Sequence, residues 1–213
     1  IDDESDLVLD LRFAEDARMY EKIDFSRVSN ATQVGSDGYI KYAYANLQNS
    51  SEFYNAATSW GSDNVTVTNN NFTSPNGDLT AMKVLCDNTT ERHEIYAFFG
   101  PNVQNAIYEH SYYVKPFGGC DAVILSYTGA ANTAVLFDIV NGVEIENNLG
   151  GTNLGSNITA LDDGWFRISF TFKSTGSGSL TSIYIALGSV ASKVEGSAVF
   201  GNFAAGTGDG ILM

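Results

Sequence analysis

Glu144 and Glu146 are the nearest this chain comes to a catalytic pair. In an extended segment residues two apart share a face at roughly 7 Å. A glycosidase needs two carboxyls about 5 to 10 Å apart, one to protonate the leaving oxygen and one to attack or activate water. Any Glu-X-Glu in a strand meets that spacing, and Asn147, Asn148, Gly150 and Gly151 beside it read as a solvated loop. An endoglycanase working through Glu144 and Glu146 therefore ranks third among the expectations. His93 and His110 have no Cys, Asp or second His at zinc-ligand spacing, and His93 beside Glu94 reads as a polar strand edge. The chain contains no Gly-X-Ser-X-Gly elbow and no Gly-rich phosphate loop ending in Lys-Ser or Lys-Thr. The expectation is a protein that is not an enzyme and has no catalytic residue.

Binding chemistry is better supplied. Sugars are held by aromatic faces against their C–H faces and by planar polar groups that fix orientation. Eleven Tyr, thirteen Phe and two Trp stand among abundant Asn. Trp60, Tyr54, Tyr108, Tyr112, Tyr113 and Tyr127 are the aromatics of interest, and Trp60, Tyr54, Tyr113 and Tyr127 form the expected glycan-binding set. Aromatics in β-sandwiches mostly fill the inter-sheet core, and Trp165, on the most core-like strand, is expected to pack there. Asn76-Gly77-Asp78 and Asp87-Asn88 offer oxygens to a structural calcium, without EF-hand spacing; no other cofactor is expected. Cys86 and Cys120 are too few for a disulfide framework and read as unpaired, partly buried thiols. Six Asn-X-Ser/Thr matches, at Asn30, Asn49, Asn64, Asn71, Asn88 and Asn157, follow from composition and turn chemistry.

The elements that must position these residues are strands. Short runs recur between Gly, Asn, Asp and Ser clusters, the spacing of a sandwich or barrel: 39–43, 64–68, 80–86, 93–99, 107–115, 122–127, 134–140, 157–161, 165–173 and 182–187. Phe166, Ile168, Phe170 and Phe172 alternate with Arg167, Ser169 and Thr171, one face apolar and one wet. Asn76-Gly77, Asn141-Gly142 and Asp163-Gly164 predict tight turns, and 174–178 a hairpin loop. Residues 1–24 carry nine acids, while Leu7, Leu9, Leu11 and Phe13 alternate within them as an edge strand able to dock on a neighbouring subunit. Residues 1–38 are thus expected to form an acidic N-terminal arm and lead-in, and 39–213 an all-β, two-sheet antiparallel sandwich. No apolar run approaches the roughly 20 residues of a membrane helix. Eleven Lys plus Arg against 25 Asp plus Glu give a net charge of −14, which repels nucleic acid and anionic membrane. No basic residue occurs between Lys115 and Arg167, so neutral polar partners fit better than a phosphate backbone.

A longer pattern runs through these elements. The stretch Val28-Ser29-Asn30-Ala31-Thr32-Gln33-Val34-Gly35-Ser36-Asp37-Gly38-Tyr39-Ile40 resembles the lead-in segment of tailed-bacteriophage structural proteins. The likeness continues through Phe53–Ala57 and Trp60, Val65–Thr68, Ser74–Ala81, Tyr112–Pro116, Phe137–Gly142 and Asp163–Ser169, in order and spacing, over most of residues 26 to 190. Such proteins are similar to carbohydrate-binding modules and occur as capsid decoration or cement proteins, head fibres and tail adhesins. The resemblance implies a jelly roll, a place on the virion surface after assembly in the bacterial host cytoplasm, and contact with other virion proteins such as the major capsid protein. It also implies a homotrimer or another symmetric oligomer, with host surface polysaccharide as a further partner. Relatives of this kind run on past Gly208-Asp209-Gly210-Ile211-Leu212-Met213 into a Trp-containing strand, so a C-terminal truncation is expected. The leading expectation is a non-enzymatic capsid decoration or head-fibre subunit; the alternative is a glycan-binding tail adhesin.

Overall fold

A computed structural model of the chain describes residues 32–34, 38, 40–42, 60–99, 103–128, 133–149, 153–174, 181–192 and 208–213. The alternating segment Leu7, Leu9, Leu11 and Phe13 and the aromatic Tyr54 lie outside them. The chain divides after Asn46 into two units. In the first, β1 (Thr32–Val34) and β2 (Ile40–Tyr42) pair antiparallel with Val34 opposite Ile40. The run 39–43, expected to begin the sandwich, thus contributes its strand to this two-stranded ribbon.

The second unit is an all-β sandwich, and no α-helix occurs among the described residues. Its strands are β3 (Trp60–Asp63), β4 (Val65–Phe72), β5 (Ala81–Cys86), β6 (His93–Phe99), β7 (Ile107–Phe117) and β8 (Ala122–Thr128). They continue as β9 (Thr133–Asp138), β10 (Val143–Leu149), β11 (Asn153–Ala160), β12 (Phe166–Lys173), β13 (Thr181–Gly188) and β14 (Gly210–Leu212). Two six-stranded antiparallel sheets result: a first sheet in the order β10-β9-β8-β13-β6-β3 and a second in the order β11-β12-β7-β14-β5-β4. Strands β5, β6 and β7 pair in reverse order with β14, β13 and β12, as the two legs of one long ribbon would. The ribbon is wound so that β7 also meets β14 and β8 also meets β13. That winding makes the sandwich a jelly roll.

Period-two patterning builds the core. Phe166, Ile168, Phe170 and Phe172 point inward from β12 and meet Val123, Leu125, Tyr127, Ile183, Ile185 and Leu187 of the first sheet. The rings of Phe170, Phe172 and His110 lie within 5.5 Å of one another. Strands β12 and β13 belong to different sheets, so the connection after Lys173, expected as a hairpin, joins one sheet to the other. Both sheets needed an apolar strand there, and periodicity alone does not say which neighbour a strand pairs with. Strand β14 occupies the centre of the second sheet between β5 and β7. Gly210 is required there, because a Cβ would stand 2.0 Å from the carbonyl oxygen of Val84. Among the described residues no helix is long and apolar enough to cross a membrane.

Candidate functional site

The outer face of the first sheet carries a row of neighbouring aromatic side chains. Register places Gly61, Tyr96, Tyr184 and Ser126 side by side across β3, β6, β13 and β8. The neighbouring row runs Asp63, Glu94, Ala186, Ile124 and Leu136. Alternation sends Ile95 and Ala97 of β6, and Ile183 and Ile185 of β13, into the core, which leaves Tyr96, Phe98 and Tyr184 on the outside. The ring centroids of Tyr96 and Tyr184 are 5.3 Å apart at an interplanar angle of 38°. Phe98, 41% exposed, meets Tyr96 edge-on at 5.5 Å. Glycine at position 61 lets the Tyr96 ring spread over the edge strand β3, because a Cβ there would lie 2.3 Å from ring carbons. Covering an edge glycine with a cross-strand aromatic stabilises the edge, and the same move lays the ring flat on the surface.

Charged groups finish one end of this stripe. The Arg92 guanidinium lies 5.2 Å from the Tyr184 ring centroid, within cation–π range. Its Nε is 2.6 Å from Oε2 of Glu94, whose side chain is only 6% exposed against 58% for Arg92. Burial pushes the Glu94 carboxyl up to about 7, against the pull of Arg92 and with a further push from Asp63. At the other end a small apolar cluster of Ala122, Ile124, Leu136 and Ala186 is covered by Ile145 and Val190. The face thus offers two adjoining ring surfaces, one guanidinium donor, carboxylate acceptors and the Ser126 hydroxyl. Its chemistry is that of a polyol-binding platform: C–H faces on the rings, hydroxyls on the charged edge.

Three of the four expected glycan-binding aromatics are described. Trp60 is 4% exposed and opposes Ala97 on the inward side of β3. Tyr127 is 2% exposed, with its ring centroid 4.1 Å from that of Phe172. Both belong to the inter-sheet core, where no sugar reaches their faces, because strand alternation put them on the apolar side. Tyr113 is 49% exposed, on the outer face of the second sheet opposite Arg167. Tyr112 points inward and burial pushes its phenol up, while the Tyr108 hydroxyl accepts a hydrogen bond from the Val103 amide at 3.0 Å. Trp165 packs, as expected, but in a cluster with Ala81 and Leu212 on the outer side of the second sheet. Tyr96 and Tyr184 were missed, although a signal existed: each is an aromatic standing on the wet side of a strand whose other side is aliphatic.

The acidic pair is split. A bulge between Glu144 and Glu146 sets Glu144 opposite Phe137, which faces the core, and Glu146 opposite Leu136, which faces out. Cross-strand partners share a face, so the two carboxylates leave β10 on opposite sides and the shared-face premise fails. One inserted residue reverses the side-chain period. Glu144 accepts a hydrogen bond from Asn147 Nδ2 at 2.9 Å and another from the Ser156 hydroxyl on β11.

The histidines are internal. His93 is 1% exposed, with Nε2 3.1 Å from Oδ1 of Asp87, not on a strand edge. His110 lies among Phe170 and Phe172, and burial pulls it down to about 3. Cys86 and Cys120 are free and buried, and burial pushes Cys86 up to about 12 with help from Asp209 and Asp87. Asn76 and Asp78 spend their side-chain oxygens on their own turn, and Asp87 spends one on Thr89. Among the described residues no three metal-capable side chains converge. No family model matches the chain, and no curated relative is found.

Proposed function

We propose that this chain is a non-enzymatic subunit of a tailed-bacteriophage particle surface whose jelly roll contacts a host polysaccharide through Tyr96, Tyr184, Phe98 and Arg92. The observation that carries the glycan contact is the pair of outward rings 5.3 Å apart, Tyr96 lying over Gly61 and Tyr184 beside the Arg92 guanidinium. Two adjoining rings at that spacing suit consecutive sugar units of an extended chain. With a net charge of −14 the partner is a neutral polysaccharide, since an anionic one would meet long-range repulsion.

The particle assignment rests on the resemblance. Its motif residues occupy fold-building positions: Asp163-Gly164 turns into β12, and Asn141-Gly142 turns from β9 to β10. The segment 112–116 lies within β7. A decoration or head-fibre role alongside the major capsid protein, and a symmetric oligomer, belong to the same proposal.

Two experiments address the two halves. Glycan-array screening of the purified chain should find binding to neutral polysaccharide that Tyr184→Ala removes; an empty array rejects the glycan contact. Mass spectrometry of purified particles of the encoding phage should find the chain at a fixed copy number, and its absence from particles rejects the virion assignment.

A further inference from the structure

On the second sheet, away from the stripe, the loop between β4 and β5 and the turn between β11 and β12 flank an open cavity of about 570 Å³. Ligand pockets typically span roughly 300 to 1,000 Å³. Thr73, Ser74, Pro75 and Gly77 line one side, Leu161, Asp162 and Asp163 the other, with Lys115 and Trp165 between them.

Both walls are held in place. The Ser74 amide donates to the Asp78 carbonyl at 2.8 Å, and its hydroxyl lies 2.5 Å from Asn76 Oδ1 and 2.7 Å from Thr80 Oγ1. Opposite, the Leu161 amide donates to the Trp165 carbonyl at 2.8 Å. Asp163 is left-handed at φ 57 and Gly164 follows at φ 75, a conformation that persists where its surroundings enforce it. Behind the cavity, Trp165 packs on Ala81 and Leu212. Lys83, on the same face, has its ammonium 4.9 Å from the Phe72 ring and 5.3 Å from the Phe117 ring. Lys115 has no ion-pair partner among the described residues, and its ammonium is the cation that the cavity presents.

We propose that this cavity is a second ligand site that takes a single neutral pyranose unit. Asp162 and Asp163 accept from its hydroxyls, Lys115 donates to its oxygens, and Pro75 and Leu161 meet its C–H face. Two carboxylates against one ammonium disfavour an anionic sugar, whereas a neutral one meets no such repulsion. Tyr113, two residues before Lys115 on the same face of β7 and exposed, forms an aromatic shoulder where a second sugar unit would stack. The site is on the opposite sheet from Tyr96 and Tyr184 and stands independently of the stripe.

Trp165 supplies the readout, because it lines the cavity, whereas Trp60 belongs to the inter-sheet core. The intact chain is titrated with glucose, galactose, mannose, fucose, glucuronate and glucosamine, following tryptophan emission and the amide resonances of Lys115 and Asp163. At least one neutral sugar should give saturable changes in both. Lys115→Met and Asp163→Asn should each weaken it about tenfold, the effect of removing a hydrogen bond to a charged group, at unchanged melting temperature. Asp163→Asn is the safer variant, because Asn also adopts the left-handed conformation. Tyr184→Ala should leave this binding intact. Saturation by a charged sugar alone, by no sugar, or undiminished in both variants overturns the proposal.

Discussion

Tyr96 and Tyr184 differ from Trp60 and Tyr127 only in strand phase. All four are large aromatics on strands of the first sheet, and a one-residue shift decides whether a ring fills the core or faces outward. Replacing Tyr184 by Ala removes one stacking surface and the seat of Arg92, and glycan affinity should fall roughly tenfold, about 1 to 1.5 kcal/mol; calorimetric titration measures it. Gly61→Val would drive a side chain into the Tyr96 ring, costing about 1 to 3 kcal/mol of stability as overpacking does, together with the binding. Two buried groups give opposite pH dependences. His110 is held near 3 by burial, so the unfolded chain takes up its proton first and stability falls as pH drops below about 6.5. Glu94, raised by burial to about 7, does the reverse: its stabilising, protonated form is lost as pH rises from about 4.5 through 7. Thermal melts should show the acid loss reduced in His110→Phe and the loss toward neutral pH reduced in Glu94→Gln.

At the scale of elements the sequence was legible wherever a strand is wet on one side. His93–Phe99 lies at the expected position, and β12 differs from expectation by one residue at its start. The three tight turns also hold, because Asn-Gly and Asp-Gly pairs tolerate left-handed backbone. Strands β3, β10 and β14 were not legible: β3 and β14 are three or four residues long, and β10 is polar and bulged. For the same reason Glu144 and Glu146 seemed to share a face. A bulge has no signature in composition, and only its partner strand reveals it. The inter-sheet packing makes a direct prediction. Phe170→Ala empties space beside Phe172 and His110, where both neighbours are fixed by opposing strands. Denaturant unfolding should show a loss of about 3 to 5 kcal/mol, against under about 0.5 kcal/mol for the outward Thr171→Ser on the same strand.

For the whole molecule, the winding of one ribbon into two sheets explains why a sandwich whose core is enclosed by β3 to β14 keeps two distinct outer faces. One carries the Tyr96 and Tyr184 stripe, the other the cavity at Lys115 and Trp165. The division after Asn46 assigns the sandwich to residues 47–213, so that fragment alone should unfold in one cooperative transition; a non-cooperative melt would contradict that division. The fold class was legible throughout. The proposed binding face was not, because alternation says which residues share a side and not which side is covered. The most direct test of glycan contact at this face is equilibrium binding of the intact chain to the neutral polysaccharide found by array screening, beside its Tyr96→Ala/Tyr184→Ala variant. Saturable binding by the native chain, lost in the variant while its thermal melt stays cooperative, is the predicted result. Equal binding by both proteins, or by neither, would contradict it.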